Sequence, residues 1–247
     1  AGLSFRGFTV VGSGFILDEA EARRLLDADP KYEEVVRPYV NGGDITRRSR
    51  GVWIIDMGLR TEAEAREYPL AFQILQDRVW PERRNNKRQS YRTLWWRFAE
   101  PRRALRTATD GKLTQIFTTY VATHRTFQFF STHVAPDDKV VVIAHRSPVL
   151  FGVLSSRIHI EWSVAAGTKL GIGNDPTYNN PLCFDSFPFP DCGDDVGSRI
   201  QRVATEIDNR RSEALSSDER VTMTGIYNVI AKLRSGAQGD GRGHHAE

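Results

Sequence analysis

Three short stretches carry residue types that could do chemistry. Val10-Val11-Gly12-Ser13-Gly14 reads as a strand entering a glycine turn before a helix, the layout of a phosphate- or cofactor-binding loop. Asn174-Asp175-Pro176-Thr177-Tyr178 approximates the Asn/Asp-Pro-Pro-Tyr/Phe segment that holds a target amine and stacks a flipped base in amino-methyl transfer. Asp137-Asp138-Lys139 sets two carboxylates beside a lysine, part of what a metal-dependent nuclease needs. Each falls short on its residues. A dinucleotide loop wants a third glycine where Leu17 stands, and the acidic residue that often precedes a methyl-donor loop is replaced by Val10-Val11. Thr177 takes the place of the second, stiffening proline. Adjacent carboxylates on a strand face opposite ways, so Asp137, Asp138 and Lys139 read as solvated turn residues. The histidines have no metal-ligand spacing, His244-His245 lies in the C-terminal tail, and no serine or cysteine sits in a nucleophile elbow. The residues therefore point to a chain with no catalytic group, metal or cofactor of its own. An S-adenosylmethionine-dependent methyltransferase with its own cofactor loop at residues 12–14 stays as the alternative, and a scaffold whose C-terminal helices dock a partner as a third.

What remains is polar and basic residues at the ends of apolar runs. Thr123, His124 and Arg125 follow one β-rich stretch, and His145, Arg146 and Ser147 follow another. Lys169, Asn174, Asp175, Tyr178, Asn179 and Asn180 lie in a glycine-loosened loop. Such groups suit base-edge reading, where Arg pairs with guanine, Asn with adenine, and a carboxylate accepts from cytosine. They also suit an ordinary polar surface, and residue type alone leaves the two open. Charge distribution leans one way. The 247 residues net only +3, yet residues 81–106 hold nine basic side chains against Glu82 and Glu100. A local basic surface of this kind is the footprint of a phosphate-backbone binder, with a solvated helix face as the plain reading.

The elements that must position these groups are a mixture of helices and strands. Residues 4–17 read as a hairpin broken by glycines. Asp18 with Glu21 makes a capping box for a helix that Pro30 stops. Residues 37–45 read as a loop, residues 51–57 as a buried strand, and the helix after Thr61 is interrupted at Pro69. Tyr91, Leu94, Trp95 and Phe98 fall at helical spacing as a core stripe. A β-rich middle follows, then a buried helix begun by Ser147-Pro148. Beyond Pro190, Ile200, Val203, Ala204 and Ile207 mark one helix; Ser216 and Glu219 cap a second, with Met223, Ile226, Tyr227, Ile230 and Leu233 on its inner face. The reading is α+β: a mixed β-rich unit with packed helices over residues 1–190, a helical hairpin over 191–235, and a disordered tail over 236–247. No apolar run approaches the roughly 18 residues of a membrane span, and no signal peptide is visible. Two cysteines, Cys183 and Cys192, make no disulfide framework, so a reducing cytoplasm is the expected setting.

The chain resembles a known family through an ordered set of motifs. "FRGF", "GSGF", "RPYVNGGDI", "WIIDM", "WWRFAEPR", "GVLSSRIHIEW", "FDSFPFP" and "GIYNVIAKL" look like the C-terminal target recognition region of MmeI-like (type IIL) restriction-modification enzymes, from Ser4 to about Leu233. Related regions occur in large adenine methyltransferases of phage defence. The resemblance implies a non-catalytic reader of double-stranded DNA. Its partner would be a methyltransferase domain of the same parent polypeptide, where S-adenosylmethionine would bind. It also implies that Gly12-Ser13-Gly14 is a structural turn. The family's base-reading positions fall on His124 and Arg125, on His145, Arg146 and Ser147, and on the loop of Lys169, Asn174 and Asp175. That loop departs from the family's frequent Arg and Glu, carrying Gly171 to Asp175 instead. Phosphate contacts would come from Arg83, Arg84, Lys87, Arg88 and Arg92.

Overall fold

The structure is a computed structural model that describes residues 2–170 and 175–236. The chain opens with β1 (Ser4–Arg6), β2 (Ile16–Leu17), α1 (Glu19–Ala28), β3 (Val36–Val40), α2 (Gly42–Thr46) and β4 (Trp53–Ile55). Short helices follow: α3 (Glu62–Arg66), α4 (Pro69–Arg78), α5 (Trp80–Arg83), α6 (Gln89–Thr93) and α7 (Arg103–Thr109). The middle holds β5 (Thr114–Thr119), β6 (Gln128–Ser131), β7 (Ala135–Pro136), β8 (Val140–Ile143), α8 (Pro148–Ser155), α9 (Arg157–Ala166), β9 (Lys169–Leu170) and β10 (Asp175–Pro176). A π-helical turn over Asn180–Asp185 precedes α10 (Asp194–Ser217) and α11 (Met223–Arg234). The class is α+β, as read.

Two four-stranded sheets organise the molecule, in the orders β1-β8-β5-β6 and β2-β4-β3-β7. The first is the frame of the candidate site. Its central strand β8 is Val140-Val141-Val142-Ile143, buried throughout. Val140, Val142 and Phe117 pack on one side, with Phe15, Ile54 and Trp95 in that core. Val141, Ile143 and Ile116 pack on the other, against Phe151, Leu154, Tyr178 and Ala204. Alternating side chains thus fill both faces, as a central strand of β-branched residues requires. Only the strand ends and edges reach solvent.

Several local signals act as expected. Asp18 and Glu21 form the capping box of α1. Pro69 restarts the helix as α4, and Ser147 caps α8. Others are overridden by long-range packing. Residues 4–17 are not a hairpin: β1 pairs with β8 and β2 with β4, in different sheets. Residues 36–40 form β3 rather than a loop, and Asn41 with Asp44 makes a capping box for α2. Tyr91 and Leu94 are not core; α6 stops at Thr93, and Trp95, Trp96 and Phe98 are buried from irregular backbone. The helix after Ser147 breaks at Ser156, which caps α9. Asp137 is part of the fold, accepting from Tyr39 Oη at 2.6 Å.

The C-terminal helices also depart from expectation. Ser216 lies inside α10, and the cap of α11 is Thr222, accepting from the Gly225 N–H. Met223 is buried, whereas Leu233 is exposed. The two helices pack on the rest of the fold. α10 packs along α8 and α11 touches α2. A Cβ on Gly152 of α8 would lie 2.6 Å from Ile200 Cγ2 and 3.1 Å from Ala204 Cβ, so only glycine allows this approach of α8 to α10. Arg48 donates to the carbonyls of Leu215, Asp218 and Glu219 where α10 ends. The tail beyond Gly236, expected to be disordered, lies outside the described residues. No helix among the described residues is long and apolar enough to cross a membrane.

Candidate nucleic-acid interface

The glycine turn is filled by protein. Val11, a β-branched residue, has φ +55°, and Gly12 has φ +102°. A Cβ on Gly14 would lie 2.8 Å from Val79 Cγ2 and 2.9 Å from the Arg78 carbonyl carbon. Behind the turn the Arg83 guanidinium donates to the carbonyls of Val10 (2.7 Å), Val11 (2.8 Å), Trp95 (3.1 Å) and Arg97. It also lies 4.8 Å from the centroid of the Phe15 ring. The turn is thus packed against Val79 and Arg78 at Gly14, and its Val10 and Val11 carbonyls are engaged by Arg83. Tyr178 is fully buried, with its hydroxyl 2.9 Å from His159 Nε2, and cannot stack on an extruded base. Among the described residues no group of His, Cys, Asp and Glu is placed to hold a metal.

The expected phosphate residues divide. Arg83 is buried and serves the fold, so its assignment to phosphate is withdrawn. Burial lowers its pKa below the usual arginine value. Arg92 is half-buried and donates through Nη1 to the Asn86 and Lys87 carbonyls, shaping the turn that carries Lys87. Arg84, Lys87 and Arg88 are exposed, with Arg88 also donating to Tyr91 Oη at 2.9 Å. Other cations of the basic stretch are internal ties. Arg97 donates to the Arg60 carbonyl and Arg102 to that of Gly7. Arg106 pairs with buried Asp56 at 2.7 Å, which Arg37 also contacts at 2.6 Å.

The expected base readers sit at two ends of the first sheet. β5 and β8 run antiparallel, with Ile116 opposite Ile143 and Thr119 opposite Val140. The segment after β5 therefore emerges at the end where β8 begins, and the segment after β8 emerges at the other. With β5 spanning Thr114–Thr119, the two ends stand roughly 17 Å apart at the usual strand rise. The structure does not gather the three predicted segments into one cluster.

At the first end, Thr123 Oγ1 donates to Asp175 Oδ1 at 3.1 Å, and Lys169 is exposed on the β9–β10 hairpin beside it. His124 is half-buried, with Nε2 2.7 Å from Asn228 Oδ1 of α11. Arg125 is a correction. It is 4% exposed, donates to Thr118 Oγ1 and to the carbonyls of Thr119 and Pro176, and faces the Tyr178 ring. Burial pulls its pKa down to about 10, and it holds the loop rather than reaching a base. Asn174 lies outside the described residues.

At the second end, His145, Arg146, Ser147, Pro148, Gly111 and Lys112 line a cleft of about 630 Å³. Arg146 is exposed. His145 Nδ1 accepts from the Ser147 N–H at 3.1 Å. Burial, then the charges of Lys112 and Arg146, lower its pKa and favour the neutral ring. Its Nε2–H is then the donor it can present. Ser147 Oγ is occupied in accepting from the Leu150 N–H. Lys112, whose Nζ donates to the Ala144 carbonyl at 2.8 Å, and Asn228 were not singled out by sequence. Nothing in a turn lysine or a helical asparagine marks it before the fold is known.

Comparison with known proteins bears on what this frame is. A family model described as the target recognition domain of MmeI matches residues 6–191. No curated protein sequence matches. Among solved structures, one described as the type IIL restriction-modification enzyme MmeI in complex with DNA aligns with a TM-score of 0.70 and 16% identity. The alignment covers 97% of this chain and 33% of that one, so this chain spans about a third of that enzyme's length. At this identity the likeness speaks for the fold.

Proposed function

The chain belongs to the MmeI target recognition domain family, and from that membership we propose that it reads double-stranded DNA sequence for a bacterial adenine-specific methyltransferase of restriction-modification or phage defence. It performs no chemistry itself. The methyltransferase domain would belong to the same parent polypeptide and would bind S-adenosylmethionine, and a cytoplasmic setting follows from the substrate. One observation carries the reading: a sheet buried on both faces presents exposed polar side chains at its two ends. Rigid strands fix those groups before binding, which limits the entropy lost on docking.

Base contacts are assigned to His124, Lys169 and Asp175 at one end, and to His145 and Arg146 at the other. Arg146 suits guanine O6 and N7, and Asp175 suits cytosine N4. Separation by roughly 17 Å corresponds to about five base-pair steps of duplex at 3.4 Å each. Arg84, Lys87 and Arg88 are assigned to phosphates, which set register without carrying sequence information.

The test is selection from a pool of duplexes with a randomised centre, followed by affinity for the recovered and scrambled duplexes at several salt concentrations. A recovered motif bound more tightly than its scramble supports the reading; equal affinity at every salt concentration overturns it. Calorimetry with S-adenosylmethionine should show no binding, and a clear isotherm would favour the methyltransferase alternative.

A further inference from the structure

We propose that Asn228, on α11, is a positioning residue for specificity: it fixes the tautomer of His124, so that His124 offers Nδ1 as an acceptor to an amino group of adenine or cytosine. The inference rests on the assignment of His124 to base contact. Its chemistry is simple. A neutral imidazole has one N–H and one bare nitrogen, and an amide oxygen can only accept. Asn228 Oδ1 lies 2.7 Å from His124 Nε2, so the proton resides on Nε2 and Nδ1 carries the lone pair. Among the described residues Nδ1 has no hydrogen-bond partner. In the major groove the donors are adenine N6 and cytosine N4; guanine and thymine offer only acceptors there.

The contact is built rather than incidental. α11 is seated by buried Met223 and by Thr224 Oγ1, which donates to the Thr46 carbonyl at 3.0 Å. One residue before Asn228, Tyr227 places its ring centroid 6.1 Å from that of His124, and its hydroxyl accepts from Arg211. The same Arg211 donates to the Phe127 carbonyl at 2.8 Å, in the loop that carries His124. One buried guanidinium thus fastens both the loop and the helix. The position lies beyond residues 6–191, so an element outside the matched span sets a contact inside it.

The experiment compares the chain with His124→Ala, Asn228→Leu and Asn228→Gln, the last keeping a neutral amide acceptor for Nε2–H. Each is melted to confirm folding, and each selects from the randomised duplex pool. Imidazole nitrogen NMR reads the tautomer directly. The expected result is an Nε2-protonated His124 and one motif position restricted to adenine or cytosine. His124→Ala and Asn228→Leu should both relax that position roughly three- to tenfold, and Asn228→Gln should retain it. An Nδ1-protonated ring overturns the inference, as does relaxation by His124→Ala that Asn228→Leu does not reproduce; in that second case the His124 assignment stands. If His124→Ala relaxes nothing, the His124 assignment fails and the inference with it. A pool that returns no motif sinks the DNA reading and, with it, the role assigned to Asn228.

Discussion

Replacing Arg83 by methionine separates two meanings of a positive charge. The substitution keeps the aliphatic stem and removes the guanidinium that donates to the carbonyls of Val10, Val11, Trp95 and Arg97. Each hydrogen bond lost costs about 1 kcal/mol, two of them buried and two part-buried, so four give about 4 kcal/mol. The cost falls on a turn in which Val11 already occupies the left-handed region at φ +55°. For a chain of this length that translates to a melting temperature lower by roughly 8–16 °C. Scanning calorimetry or thermal circular dichroism measures it. Lys87→Ala is the counterpart. It should leave the melting temperature within about 1 °C, weaken all duplexes alike, and reduce the slope of log affinity against log salt by about 1. The reasoning is refuted if Arg83→Met melts with the parent chain and lowers the salt slope as Lys87→Ala does.

Further outcomes follow from other contacts. Arg146→Ala should weaken the selected duplex by about 1–3 kcal/mol and relax one base position, measured by titration against single-base variants. Asp56→Asn should destabilise by about 3–5 kcal/mol in urea, because Arg106 and Arg37 would keep their charges without a carboxylate between them. Burial alone would raise the Asp56 pKa, but the two arginines outweigh it and hold it below the usual range. Its contribution is therefore present above pH about 4, lost as pH falls through the folded value, and absent from the acid limb of Asp56→Asn. His159 behaves differently. Burial first, and the Arg125 charge second, lower its pKa to about 4. The unfolded chain then binds a proton that the folded chain refuses between pH about 6.5 and 4, and stability falls across that window on acidification, by up to about 1.4 kcal/mol per pH unit. His159→Gln should flatten that part of a urea-midpoint profile; an unchanged profile would show that the ring is not buried neutral.

Much of the local structure was legible, because caps and prolines act over three or four residues. Asp18 with Glu21, Pro69, and Ser147 with Pro148 each do in the fold what their spacing says. At the glycine turn the Arg83 guanidinium holds the carbonyls of Val10 and Val11, and Tyr178 is buried; neither environment can be read from the residue types alone. Long-range decisions were less visible. β1 pairs with a strand more than 130 residues away, which no local pattern announces. Arg83 and Lys87 are indistinguishable as members of a basic run, yet one is buried under four carbonyls and the other is exposed. Arg125 looked like a neighbour of His124 with the same task, but it begins a buried run with Thr126 and Phe127, and its guanidinium is tied to Thr118, Thr119 and Pro176 beside Tyr178. The separation of His124 from Arg146 is set by strand register, which residue type does not encode.

Gly152 has a practical consequence for exchanging specificity between polypeptides. A transplant cut where the matched span stops, at residue 191, would carry α8 and leave behind Ile200 and Ala204 that lie flush against it. The exposed apolar seam would invite aggregation, and a borrowed helix with any larger residue at the facing glycine would not seat. Grafts should therefore run through residue 236, so that the bare strip of α8 travels with the helix that covers it.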